Sequence, residues 1–116
     1  MDQARDRAAI AREILASAHL EGAVSAAYYA MLYAARAALS EDDEYARTHR
    51  GTWHLFHERY VVTDVFDQHL HTLAQRAQDA REKGDYEAIK PDRGEAEAIV
   101  ANAADFIAAV EHMLET

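Results

Sequence analysis

The chain has no cysteine, a single proline and only four glycines. Without cysteine there is no disulfide framework, no thiol nucleophile and no Cys-based zinc site, which fits a reducing compartment. With so little proline and glycine there is scant material for strands joined by tight turns. No apolar run approaches the roughly 20 residues needed to cross a bilayer. The opening MDQARDRAAIAREIL carries charges throughout and has no signal-peptide core. These features point to a cytoplasmic protein with no membrane partner. Positive charge is also short, with 21 acidic residues against 12 Lys and Arg and a formal net charge of −9. Such a field repels polyanions, so DNA is not an expected partner, and a protein or a small ligand is favoured. Most of the basic residues are Arg, the side chain suited to bidentate phosphate contact within a local pocket. There is no glycine-rich phosphate loop, no Ser-His-Asp order and no paired-carboxylate signature, and no cofactor is expected.

What is present is helix-forming material. Half of the 116 residues are hydrophobic, and Ala, Glu, Arg and Leu are abundant. The length suits one domain, residues 1–116, with no repeat, low-complexity tract or linker dividing it. Periodicity predicts a first helix from about Gln3 to Leu20, with Ala4, Ala8, Ala11, Ile14, Leu15 and Ala18 on one stripe and a break at Glu21-Gly22. A second helix, Ala23 to Leu39, is apolar on more than one side, which marks it as central or shared with a second subunit. Ser40 to Thr52 reads as a polar loop, followed by a short helix from Trp53 to Tyr60. Thr63 or Asp64 can cap a fourth helix whose stripe is Phe66, Leu70, Leu73, Ala77 and Ala80 and which ends near Lys83-Gly84. Asp92 and Glu95 form a capping box for the last helix, with Ile99, Ala103, Phe106, Val110 and Met113 inward. The fold class is all-α: an antiparallel up-and-down bundle of four long helices plus one short helix.

Two stretches, EGAVSAAYYAMLYAARAAL (Glu21 to Leu39) and RTHRGTWHLFHERYV (Arg47 to Val61), make the bundle more specific. With AREKGDYEA (Ala80 to Ala88) and the C-terminal EAEAIVANAADFIAAVEHML, the chain resembles the stand-alone prokaryotic HEPN-domain proteins. Those carry an AYYAMF-like helix, a THKG-like turn and an R-x-x-x-DY segment in this order. The resemblance implies a helical bundle that commonly forms a homodimer. It also implies one of two activities: a ribonuclease toxin neutralised by a small nucleotidyltransferase-like partner, or a binding half of such a pair that lacks the nuclease signature.

The family nucleases use an Arg and a His with roughly four to six residues between them, the His to move protons and the Arg to stabilise charge on phosphate. Arg12 with His19, Arg47 with His54, and Arg50 with His57 all meet that spacing, but about two such pairs are expected by chance. At the family's position, late in the helix before the last, stand Arg81 and Tyr86, so a Tyr occupies the His position. A Tyr hydroxyl with its ordinary pKa near ~10 is a poor proton shuttle at neutral pH. The catalytic candidates are Arg81, Tyr86, His49 and His54; the ligand-binding candidates are Arg81, Asp85, Tyr86, Thr48, His49, Tyr29 and Arg36. Each has a bland alternative. Arg81 can pair with Asp85 while Tyr86 packs on the bundle, Thr48 can cap the short helix with Gly51 giving close approach, and the Ser25-Tyr29-Leu32-Arg36 face can be core. His54 and His57, with Glu58 beside them, have no further ligand evident nearby, and His69 and His71 point apart on a helix, so no metal site is expected. Three functions follow in order: the binding half of a toxin-antitoxin-like pair with nucleotide or RNA binding, an active metal-independent ribonuclease, and a non-catalytic dimeric scaffold. A Tyr86 hydroxyl beside Arg81 would also suit modification by a nucleotidyltransferase partner.

Overall fold

A computed structural model describes residues 1–115. Among these the chain forms five helices and no strand: α1 Asp2–Ala16, α2 Leu20–Glu41, α3 His49–Phe56, α4 Gln68–Tyr86 and α5 Arg93–Glu115. α3 runs on into a π-helical stretch, His57–Val61. The architecture is the expected one of four long helices and one short one. α2 is the central helix and touches each of the other four. Its Ala23, Ala27, Ala30, Ala34 and Ala38 are fully buried, and such small side chains let neighbouring axes approach closely. α1 meets it with a stripe that is itself alanine: Ala4, Ala8 and Ala11.

The core is centred on α2, whose Tyr28, Met31, Leu32 and Leu39 are fully buried, and an aromatic cluster closes it beside α3 and its π-helical extension. Phe56, Phe66 and Phe106 form a cluster with ring centroids 4.9 to 5.7 Å apart, and Trp53 adds an edge-to-face contact on Phe106 at 5.8 Å. Tyr60 ties the π-helical stretch to the end of α2 by donating to the Ala38 carbonyl (2.9 Å) and contacting the Asp42 carboxylate (2.5 Å).

Four boundaries differ from the sequence expectation, each for a local reason. The α1–α2 break falls at Ser17–His19, not at Glu21-Gly22. Ala18 takes a left-handed φ of 68°, and His19 N–H donates to Ile14 O while Ala18 N–H donates to Leu15 O. These bonds close the helix without a glycine. Gly22 lies inside α2, where a Cβ would stand 3.2 Å from Ile14 Cγ2. Its value is therefore close packing of α1 on α2. α3 begins at His49, within the stretch read as loop, because Thr48 Oγ1 accepts from Gly51 N–H at 2.9 Å and caps it. α4 is capped by Asp67, whose carboxylate accepts from His69 N–H at 2.6 Å, and neither Thr63 nor Asp64 does so. α4 also runs past Gly84 to Tyr86, and the left-handed residue that follows is Ala88 (φ 57°). At α5 the Asp92 carboxylate accepts from Glu95 N–H at 2.7 Å, as expected of a helix N-cap.

One rotation matters more than these boundaries. The buried positions of α4 are His71, Ala74 and Ala77, whereas Leu70, Leu73 and Ala80 are only half-buried. The inward face is turned by about a residue from the predicted stripe, and its continuation by the 3-and-4 spacing reaches Gln78 and Arg81.

Candidate functional site

Because α4 is turned this way, Arg81 enters the bundle. Its side chain is 13% exposed, its guanidinium lies 5.2 Å from the Tyr28 ring centroid and 5.4 Å from that of Tyr29, and it donates to Asp85 at 2.9 Å. Its Nε is buried with no hydrogen-bond partner. A guanidinium over two aromatic faces is held by its attraction to the ring quadrupoles.

Tyr28 is fully buried and connects α2 to α3. Trp53 Nε1–H donates to the Tyr28 hydroxyl oxygen at 3.1 Å, and that oxygen lies 3.2 Å from His49 Nδ1. Since the indole can only donate, the oxygen serves as its acceptor and the hydroxyl proton is free to point to His49 Nδ1. This order places the His49 proton on Nε2. Burial is the main cause that lowers the His49 pKa from its ordinary value, followed by the positive charges of Arg36 and Arg81, with Glu82 opposing. His49 is therefore neutral at neutral pH, with its N–H turned away from Tyr28. Tyr29 meets the same imidazole edge-on at 5.6 Å. Arg36 is oriented by donating from Nε to Thr52 Oγ1 at 3.2 Å, and Thr52 in turn donates to the Thr48 carbonyl at 2.9 Å.

Of the residues singled out in the sequence, Tyr29, Arg36, Thr48, His49, Arg81 and Asp85 thus gather where α2, the start of α3 and the end of α4 meet. Two do not join them. Tyr86 is 78% exposed and does not pack on the bundle. Five positions beyond Arg81, it is turned roughly 140° around the helix and does not face that guanidinium. His54 is exposed, lies 3.4 Å from Glu58, and belongs to a separate groove between α3 and α4. Arg50, His57 and the buried His71 line that groove as well, so the Arg50–His57 spacing does converge in space. His71 and His57 have ring centroids 5.1 Å apart. Among the described residues, no three His, Cys, Asp or Glu side chains are placed to hold a metal ion. Sequence reasoning does not single out Tyr28, Trp53 or His71 as site residues. Tyr28 reads there as part of the apolar second helix and Trp53 only as the start of the short one, and the pairing of two adjacent tyrosines is the one hint of a second role.

A central alanine-rich helix, flanked by up-and-down partners and a short capped helix carrying His49, defines a class of all-helical bundle with a basic and aromatic seam. Comparison with known families places it further: the HEPN domain matches residues 1–113, and the chain belongs to that family. No curated protein matches the chain. No helix among the described residues is long and apolar enough to cross a membrane.

Proposed function

We propose that this HEPN protein is the binding half of a two-component pair, a homodimer that associates with a minimal nucleotidyltransferase partner and takes a nucleotide or RNA phosphate at the Arg36–His49–Arg81 seam. The observation that carries the reading is the convergence of two guanidiniums on a neutral imidazole in a chain of net charge −9. Two Arg and an imidazole N–H turned away from the Tyr28 hydroxyl make a local anion receptor against an otherwise repulsive field. The same geometry argues for binding over proton transfer. With Nδ1 facing the Tyr28 hydroxyl and Nε2 carrying the proton, neutral His49 has no free lone pair to act as a base and is a weak acid. Tyr86, exposed at the end of α4, leaves its hydroxyl open to a nucleotide-transferring partner. Affinity purification from the native host tests the pair: recovery of a nucleotidyltransferase-like protein is expected, and its repeated failure to appear would count against the reading.

A metal-independent ribonuclease is the second reading, favoured by the groove that brings Arg50 together with His54, His57 and His71. Two imidazoles and a guanidinium supply a base, an acid and a charge stabiliser for phosphodiester cleavage. Growth arrest on expression without a partner, relieved by Arg50→Ala, would favour it over the first.

A further inference from the structure

A guanidinium holds a phosphate most firmly through an edge that offers two parallel N–H donors. Arginine has two such edges, Nε with Nη2 and Nη1 with Nη2. At Arg81 the first is closed, because Nε is enclosed within the fold. The rings of Tyr28 and Tyr29, 5.2 and 5.4 Å away, keep the group in place. The second edge already has an occupant from this chain, since Nη1 donates to Asp85 Oδ2 at 2.9 Å. The two partners are unequally held. The Arg81 side chain is 13% exposed and that of Asp85 49%, so the carboxylate is the one that can swing into water. Asp85 also stands one residue from the end of α4, where the helix dipole disfavours negative charge. A carboxylate so placed does little for the helix and gives the guanidinium a counter-ion that a stronger anion can replace.

We propose that Asp85 is an internal competitor at the anion site, the residue that sets which anions Arg81 accepts. The inference rests on the reading of the Arg36–His49–Arg81 seam as an anion receptor and adds its selectivity. An incoming anion has to turn Asp85 out before it reaches both Nη atoms. A singly charged anion exchanges like for like at this edge and gives up its own hydration, so it gains nothing. Inorganic phosphate or a phosphate monoester carries close to two charges, exceeds the carboxylate it displaces, and keeps a further oxygen for a neighbouring donor of the seam. The site is thus tuned to dianionic phosphate over carboxylates and over the singly charged phosphodiester.

Inorganic phosphate, acetate and dimethyl phosphate, each titrated into the full chain at about pH 8, where phosphate is dianionic, test the inference. The ¹⁵N resonances of the Arg81 guanidinium and the Trp53 indole report binding in the parent, Asp85→Asn and Glu87→Gln. The parent should respond to phosphate alone. Asp85→Asn keeps an acceptor without its charge and loses only an exposed ion pair, so it should fold as the parent does. It should bind phosphate about tenfold tighter, a difference of about 1.4 kcal/mol, and begin to bind acetate and dimethyl phosphate. Glu87→Gln removes the same unit of charge from an exposed side chain two residues on and should change phosphate affinity by no more than about twofold. Equal phosphate affinity in the parent and Asp85→Asn would overturn the inference and leave the anion site standing. So would acetate bound as tightly by the parent as by Asp85→Asn, or an equal gain in Glu87→Gln, which would reduce the effect to net charge. Phosphate bound by neither the parent nor Asp85→Asn would overturn the anion site itself and this inference with it.

Discussion

Gly51 shows how much a single missing methyl can decide. A Cβ there would stand 2.9 Å from Thr48 Oγ1, the atom that caps α3, and 3.4 Å from Ala46 Cβ. Alanine is the better helix former by up to ~1 kcal/mol, yet Gly51→Ala should lower stability, by about 1 kcal/mol, because it displaces the cap. Urea unfolding checks this, and a more stable variant would mean that the Thr48 cap contributes little. Tyr28 poses the complementary case. Tyr28→Phe keeps the ring but strips the acceptor from the buried Trp53 N–H, at a cost of about 1–3 kcal/mol. It also removes the hydroxyl facing His49 Nδ1 and should weaken anion binding beside it. Stability unchanged in Tyr28→Phe, by the same unfolding measurement, would show that the Trp53–Tyr28–His49 chain is incidental. Thr48 and Gly51 are visible in the sequence as a turn, and their capping role follows from residue type alone. The role of the Tyr28 hydroxyl is not, because a tyrosine inside an apolar helix looks the same whether its oxygen has a partner or none.

At the scale of elements, α3 and α4 each carry an imidazole that folding keeps uncharged. His49 and His71 both have pKa values lowered from the ordinary 6.5, burial being the main cause for each. As pH falls through about 6.5 the unfolded chain takes up protons that these folded sites resist, so stability must fall with pH in that window. Their contribution is fully present above it. Urea midpoints should therefore be lower at about pH 5.5 than at about pH 8, and His71→Phe should flatten the slope; a midpoint that does not move would show that neither histidine is sealed from protons. The helices themselves are largely legible, since 3.6-residue periodicity and the Asp92 cap survive in any packing. The orientation of α4 is not. Its leucines, Leu70 and Leu73, suggest one face, but the alanine-rich packing on α2 turns His71, Ala74 and Ala77 inward, and Arg81 follows them. A hydrophobicity pattern cannot foresee that a histidine will be buried ahead of a leucine when aromatic rings are waiting to stack on it.

Across the whole molecule, charge sets the terms. A net −9 keeps long polyanions at a distance, while Arg36 and Arg81 create a local exception at the junction of α2, α3 and α4. Phosphate binding at this exception should be lost in Arg81→Ala and weaken steeply with salt. The family is legible from three ordered motifs, AYYAM, THRG and R-x-x-x-DY: the first lies in the central helix α2, the second caps α3, and the third seats Arg81 against the Tyr28 and Tyr29 rings while leaving Tyr86 exposed. Whether such a junction binds or cleaves depends on proton positions, which no spacing of Arg and His encodes. RNA cleavage by the purified chain, beside Arg81→Ala and Arg50→Ala and in the presence of a chelator, tests that distinction most directly. No cleavage of any of several RNA substrates is the result expected of a binding protein; metal-independent cleavage abolished by either substitution would contradict it and make the protein a ribonuclease.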